Sequence, residues 1–226
     1  MNKVPDNKLS SVKNYFVKEL EMKLGARECE SCFCILVEEW LGFSRTEMVI
    51  KKESRISESQ ILLFLNAIKA LKKDVPLAHV VGNQYFFGLS FKVNSDVLIP
   101  RPETEELVEL VVNSVHKESA LNVLDIGTGS GCIAISLKHS LPNSNVVGWD
   151  VSSKALDVAI QNAKRNNVDV HFEQFDALDA KQTSNSDGKY DAIVSNPPYI
   201  PEKDKLQMDA NVLKFDPSLA LFVKDS

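Results

Sequence analysis

The stretch VLDIGTGSGCIAISL, residues 123–137, decides the fold of this chain. It predicts a buried strand over Asn122–Ile126, a glycine loop, and a helix that runs to about Ser140. A strand, a glycine loop and a helix in this order are typical of the ligand-binding turn of an α/β fold with a parallel sheet. Glycines in such a loop let the backbone adopt positive φ and approach a ligand closely.

The spacing of the loop favours one class of ligand. Gly127, Gly129 and Gly131 follow G-x-G-x-G instead of the G-x-G-x-x-G of a dinucleotide site. Asp125 lies two residues before the first of these glycines and suits a ligand with a cationic group, and S-adenosylmethionine carries both an ammonium and a sulfonium. A lone glycine loop of this kind would also be explained by a tight turn.

Two more acids follow predicted strands. Asp150 comes after the strand Asn145–Trp149, where its carboxylate can accept hydrogen bonds from both hydroxyls of a ribose. Asp176 comes after the strand Val168–Gln174, where it would accept from an adenine amino group or serve only a turn. Because the carboxyl ends of parallel strands meet at one edge of a sheet, we expect both acids to lie beside the glycine loop.

A fourth predicted strand, Tyr190–Ser195, ends in VSNPPYI, residues 194–200. Each proline fixes its own φ and removes an N–H donor, and the residue before each proline is pushed toward extended geometry. The sequence therefore predicts a stiff strand end with the Asn196 amide at its head and the Tyr199 ring close behind. The simpler alternative is a proline-bounded turn.

Upstream, residues 8–73 have the periodicity of helices only. Ser57 and Gln60 fit a capping box, and Gly25 and Gly42 fit the ends of the two preceding helices.

After this helical segment the period changes to that of a hairpin, and later to alternating strands and helices. The short strands are predicted at Ala78–Val81, Gln84–Phe87 and Leu89–Val93, and a polar loop at 184–188. We therefore expect three parts: a helical domain for packing or partner contact at residues 1–75, a β-hairpin linker at 76–98, and an α/β domain at 99–226.

The cysteines favour packing over metal binding. Cys29, Cys32 and Cys34 lie in CESCFC, whose apolar neighbours are spaced as on one face of a helix. A C-x-x-C pair would also fit zinc or redox chemistry, but zinc requires four ligands and the sequence has no second pair. We therefore expect no metal.

Composition limits the partners. The formal net charge of −5 argues against a mainly electrostatic grip on nucleic acid. The start, MNKVPDNKLS, is polar, and no apolar run approaches the roughly 18 residues of a membrane span. We expect a cytoplasmic monomer with no direct contact to nucleic acid or to a membrane.

The quoted motifs, with GWDVS at 148–152 and FDAL at 175–178, resemble class I S-adenosylmethionine-dependent methyltransferases that methylate amino groups. The stretch PLAHVVGNQYFFGLSFKVNSDVLIPRPETEELVE, residues 76–109, is similar to the HemK/PrmC family, the bacterial peptide chain release factor glutamine methyltransferases. The fold implied by the resemblance is a Rossmann-like class I methyltransferase domain, preceded by a small all-helical domain that binds the substrate and by a β-hairpin linker. The family's sheet has seven strands and only four can be placed here, so we expect a C-terminally truncated domain.

The resemblance also implies the residues of the site. Arg101, Pro102, Glu103 and Thr104 would lie over the donor or acceptor, although Pro and Glu here would equally suit the start of a helix. The residues implied for the methyl donor are Asp125, Gly127, Thr128, Gly129, Gly131, Asp150 and Asn196, with Asp176 and Ala177 beside the adenine. Those implied for the acceptor are Asn196, Pro197, Pro198 and Tyr199, with Arg101 and Glu103 as further substrate-binding residues, and Asn196, Pro197 and Tyr199 as the catalytic ones.

The reaction implied is methyl transfer from S-adenosylmethionine to the side-chain N5 of a glutamine in a release factor, with S-adenosylhomocysteine as product. In this mechanism the Asn196 side-chain oxygen and the Pro197 carbonyl each accept one N–H of the substrate amide. Three alternatives stay open. The acceptor would be a glutamine of a ribosomal protein or the N6 of adenine in nucleic acid, or the chain would bind without catalysing.

Overall fold

The computed structural model describes residues 6–116, 118, 120–179, 189–201, 203–204 and 215–223. The chain divides into two compact units, Met1–Val81 and Gly82–Ser226. The boundary therefore falls after Val81, and the hairpin groups with the second unit.

The first unit is helical because its apolar residues recur at helical spacing. Leu9, Val12, Phe16 and Leu20 form the buried stripe of the first helix. The helices are α1 (Leu9–Leu24), α2 (Ala26–Leu41), α3 (Arg45–Ile50), α4 (Glu58–Lys72) and α5 (Leu77–Val81).

The predicted helix ends are confirmed. Ser57 and Gln60 form the capping box at the start of α4, and the N–H groups of Gly25 and Gly42 bond back to α1 and α2, with Gly42 in the left-handed region. Helix α3 was not predicted, and it begins with a second capping box at Ser44.

The strand predicted at Ala78–Val81 is wrong, because these residues belong to the helix α5. The carbonyl of Pro76 accepts from the N–H groups of His79 and Val80 at 3.0 and 3.1 Å, which closes a helical turn. The β-branched valines resemble a strand in isolation, but Leu77, Val80 and Val81 pack on the helical core.

The packing role predicted for the cysteines agrees with their burial. Cys29 and Cys32 are 0% and 4% exposed in the core of the helical unit. The rings of Phe33 and Phe64 stack beside them with centroids 5.2 Å apart. Within the described residues, no group of three or more His, Cys, Asp or Glu side chains is placed to hold a metal.

The second unit begins with the hairpin of β1 (Asn83–Phe86) and β2 (Leu89–Lys92). Phe86 and Phe91 lie in the same hydrophobic core as Val123 and Ile135, so the hairpin packs as part of this unit. After it come α6 (Glu103–Ser114), β3 (Asn122–Ile126), α7 (Cys132–Ser140), β4 (Asn145–Asp150), α8 (Ser153–Arg165), β5 (His171–Gln174), β6 (Ala192–Ser195), β7 (Ile200–Pro201), α9 (Ser218–Leu221) and β8 (Phe222–Val223).

The central sheet of the described residues has the order β5–β4–β3–β6, with every neighbouring pair parallel. This is the start of the Rossmann strand order, and the predicted Rossmann-like α/β fold is confirmed. Strand β5 begins later than predicted, since the N–H of Val168 still bonds to the end of α8. The polar loop expected at 184–188 lies outside the described residues. No helix of the described residues is long and apolar enough to cross a bilayer.

Candidate functional site

The site is built at the carboxyl edge of the sheet, where register aligns the strand ends. Ile126 pairs with Trp149 on one side and with Ser195 on the other, and Asp150 pairs with Gln174. The residues that follow these strands therefore meet at one edge, as parallel strands require.

The glycine loop is held by the neighbouring strand β4. The N–H groups of Gly127 and Thr128 both donate to the carbonyl of Trp149 at 2.9 Å, and the N–H of Gly129 donates to Oδ2 of Asp150 at 2.9 Å. Gly127, Gly129 and Gly131 have φ of 74°, 55° and 80°, a region that a side chain would strain. Asp150, at the end of β4, therefore holds the glycine loop in place and lies beside it.

Asp125 is fully buried below the loop. Its Oδ2 atom accepts from the Thr128 hydroxyl at 2.7 Å and from the Ala134 N–H at 3.2 Å. Burial raises the pKa of this carboxyl to about 7, because the charged form loses its hydration. Its Oδ1 atom is buried and has no hydrogen-bond partner among the described residues.

A buried asparagine that sequence reasoning missed ties the loop to the hairpin. Asn162 is 0% exposed; its Oδ1 accepts from the Lys92 N–H at 2.7 Å. Its Nδ2 donates to the carbonyls of Lys92 and Ser130 at 3.1 and 2.9 Å. The available signal was an amide on the otherwise apolar buried face of α8.

The third predicted acid lies at the end of β5. Oδ1 of Asp176 accepts from the N–H of Leu178 at 2.9 Å, which makes a turn, and Ala177 is exposed. The rings of Phe175 and Trp149 lie 4.2 Å apart, and the Phe175 N–H bonds to the Asp150 carbonyl. The segment is therefore fixed beside Asp150, and the adenine contact of Asp176 stays a prediction.

Beyond β6 the Asn-Pro-Pro-Tyr segment opens onto a cleft of about 500 Å³. It brings together two stretches that the sequence singled out separately, the residues around Arg101 and those around Asn196. The lining residues are Leu98, Arg101, Glu103, Thr104, Leu107, Asn196, Pro197, Tyr199, Ile200, Ala220 and Leu221.

Two hydrogen bonds hold Asn196 in place. The Ser195 hydroxyl donates to the Ile126 carbonyl at 2.8 Å, which pins the strand end to β3. Nδ2 of Asn196 donates to the Thr104 hydroxyl at 3.2 Å. Tyr199 is 78% exposed, so the face of its ring is open.

Arg101, predicted to bind substrate, pairs within the protein. Its guanidinium donates to Oδ2 of Asp216 at 2.9 Å, and the Asp216 side chain is 3% exposed. This pair ties the segment 215–223, which supplies Leu221 to the cleft, to the start of α6. The sequence had no local signal for Asp216, whose partner lies 115 residues away.

Known proteins resemble both units. The methyltransferase small domain model matches residues 104–214, and the PrmC N-terminal domain model matches residues 18–82. A release factor glutamine methyltransferase of Flavobacterium psychrophilum is 43% identical over 221 residues, covering 95% of this chain and 76% of that protein. A release factor glutamine methyltransferase of Bacteroides thetaiotaomicron is 38% identical over 217 residues, covering 96% of this chain and 77% of that protein. A release factor glutamine methyltransferase of Lactococcus lactis is 43% identical over 186 residues, covering 82% of this chain and 64% of that protein.

Proposed function

The chain belongs to the family of release factor glutamine methyltransferases, and from this we propose that it methylates the side-chain amide nitrogen of a glutamine in a peptide chain release factor. The observation that carries the proposal is the direct link between the two halves of the site. Ser195, one residue before Asn196, bonds to Ile126, one residue before the glycine loop, at 2.8 Å. A donor at the loop and an acceptor at Asn196 therefore occupy neighbouring strand ends.

The residues at the loop fit S-adenosylmethionine. A Cβ built on Gly127 meets no atom within 4 Å, so the loop leaves open space there, and the buried Oδ1 of Asp125 still has acceptor capacity. Asp150 accepts from two backbone N–H groups and keeps lone pairs for ribose hydroxyls. S-adenosylmethionine supplies an electrophilic methyl group and leaves as S-adenosylhomocysteine.

The acceptor half must overcome the weak nucleophilicity of a carboxamide, whose nitrogen lone pair is delocalised into the carbonyl. Oδ1 of Asn196 and the carbonyl of Pro197 each accept one N–H of the substrate amide, which aims the lone pair at the methyl group. The same two acceptors stabilise the positive charge that develops on nitrogen. Positioning of this kind can supply on the order of 7 kcal/mol of the barrier.

The remaining residues shape the environment of the amide. Tyr199 offers a flat face to the planar group, and its exposure leaves that face accessible to a substrate loop. The methylated nitrogen loses its extra proton to solvent, so the chain needs no general base for the transfer.

The helical unit would grip the release factor while its glutamine enters the cleft. The net charge of −5 supports a protein substrate over nucleic acid. We propose a monomer that works in the cytoplasm, where release factors act. The alternatives are a ribosomal-protein glutamine and adenine N6, since the same two acceptors would fit an adenine amino group.

The test incubates the protein with methyl-labelled S-adenosylmethionine and, separately, a release factor, a ribosomal protein fraction and DNA. We expect label at one glutamine of the release factor, located by mass spectrometry of its peptides, and none in DNA. Label in adenine with none in the release factor would refute the proposal.

The Asn196→Ala variant separates catalysis from donor binding. Because Asn196 contacts the acceptor in this mechanism, we expect turnover to be abolished while donor affinity, measured by calorimetry, stays close to that of the unmodified protein. A parallel collapse of donor affinity would assign Asn196 a structural role instead.

A further inference from the structure

We propose that Thr104 is a positioning residue that anchors the Asn196 side-chain amide and leaves its oxygen free for the substrate. The inference rests on the proposed function, because it concerns the acceptor half of that site. Nδ2 of Asn196 donates to Oγ1 of Thr104 at 3.2 Å, across 92 residues of sequence. Thr104 is 9% exposed, so water competes little for this bond.

Orientation decides whether Asn196 can work. An asparagine amide has nearly the same shape when it is turned by 180°, but one end is a donor and the other an acceptor. The N–H groups of a substrate amide need the oxygen end. If Nδ2 of Asn196 pointed at the substrate instead, two donors would face each other and the substrate amide would be repelled.

The Thr104 hydroxyl anchors the amide in the orientation that the substrate needs. By accepting from Nδ2 it occupies the donor end of the Asn196 amide and leaves Oδ1 for the substrate. Both residues line the same cleft. A hydroxyl can also donate, so the N–H groups of the substrate are what require Oδ1, while Thr104 accepts from Nδ2 and keeps the Asn196 side chain from moving away.

Both partners of this bond are rigid. Thr104 lies in the first turn of α6, where its N–H bonds to the Arg101 carbonyl at 3.0 Å, and a β-branched side chain in a helix has few rotamers. Asn196 is held by the Ser195–Ile126 bond before it and by Pro197 after it. A short hydroxyl on a fixed helix therefore meets an amide on a fixed strand end.

Three variants test the role. Thr104→Val keeps the shape and removes the acceptor, so we expect kcat to fall about tenfold, the factor for one hydrogen bond, with KM and donor affinity within about twofold. Thr104→Ser keeps the hydroxyl and should restore kcat to within about threefold. Ser114→Ala, which removes an exposed hydroxyl at the far end of α6, is the control.

Two kinetic results would overturn the inference. One is an unchanged kcat in Thr104→Val, and the other is an equal loss in Thr104→Ser and Thr104→Val, which would indicate packing alone. If the unmodified protein does not methylate a release factor, the proposed function fails.

A second readout tests Thr104 without turnover. The ¹⁵N side-chain amide signals of Asn196, assigned by their loss in Asn196→Ala, should shift and exchange faster with water in Thr104→Val and return toward their original positions in Thr104→Ser. Unchanged signals in Thr104→Val would refute the role of Thr104 whatever the activity.

Discussion

Two alanine substitutions in the glycine loop should differ in how much they destabilise the protein and in whether they weaken donor binding. At Gly131 an added Cβ would lie 2.8 Å from Cδ1 of Ile135, 3.2 Å from Cβ of Ala159 and 3.3 Å from Cζ of Phe172. At Gly127 the same atom meets nothing within 4 Å. Both residues have positive φ, so alanine strains the backbone at either position. Only at Gly131 does the added Cβ also clash with neighbouring side chains.

The backbone strain and the steric clash determine how far each substitution lowers the free energy of unfolding. A side chain at positive φ costs about 1–2 kcal/mol, and overpacking a close-packed core costs a further 1–3 kcal/mol or so. We therefore expect Gly131→Ala to lower the free energy of unfolding by roughly 2–5 kcal/mol and Gly127→Ala by only about 1–2 kcal/mol. Donor affinity should fall in Gly127→Ala, because its Cβ enters the space assigned to the donor.

Tryptophan fluorescence can follow the second unit alone. The chain has two tryptophans, and the carbonyl of Trp149 accepts from the loop itself. In a Trp40→Phe background, urea unfolding followed at Trp149 reports the stability of the α/β unit. Calorimetry with S-adenosylmethionine at a temperature where both variants are folded gives the donor affinity.

Equal losses of stability in the two variants would refute the packing argument. Normal donor affinity in Gly127→Ala would remove the open face of the loop from the donor site.

Three further predictions concern the carboxylates and the buried amide. The folded pKa of Asp125, about 7 against 3.8 for the free group, means that its contribution to stability is full below pH 3.8 and is lost as pH rises to 7. Asparagine does not titrate, so the free energy of unfolding of Asp125→Asn, measured in urea, should lack this decrease between pH 3.8 and pH 7. Asn162→Ala removes the hydrogen bond to the Ser130 carbonyl and should destabilise the α/β unit by about 1–3 kcal/mol in urea unfolding followed at Trp149. An unchanged urea concentration at the unfolding midpoint would contradict this prediction. Asp150→Ala should weaken donor binding by roughly 1–3 kcal/mol in calorimetry, and unchanged affinity would remove Asp150 from the site.

Features governed by local chemistry could be predicted from the sequence. The glycine loop, the capping box at Ser57 and the strand ending at Ser195 each depend on a few neighbouring residues. The α/β alternation then predicts parallel strands, whose carboxyl ends bring Asp150 and Asn196 to one edge of the sheet. The error at Ala78–Val81 has the opposite origin, since packing on a helical core overrides the strand preference of its valines.

Pairs that join distant segments could not be predicted in this way. Arg101 meets Asp216 across 115 residues, and Thr104 meets Asn196 across 92. No period or local motif encodes such a partner, because each side chain alone has an ordinary surface or helix-start explanation. Only the folded structure shows that Asp216 and Thr104 are buried, and a polar group that is removed from water must find a hydrogen-bond partner within the fold.

In the proposed function, the chemistry of transfer and the choice of substrate depend on different residues. Asn196 and Pro197 supply two acceptors that would satisfy any planar N–H₂ group, whether a glutamine amide or an adenine amino group. Other lining residues of the cleft come from α6 and from the segment 215–223, and the Arg101–Asp216 pair joins the start of α6 to that segment. In the proposed function these two acceptors therefore do not choose between the substrates, and the choice would depend on the residues that surround them in the cleft and on the contact of the helical unit with the release factor.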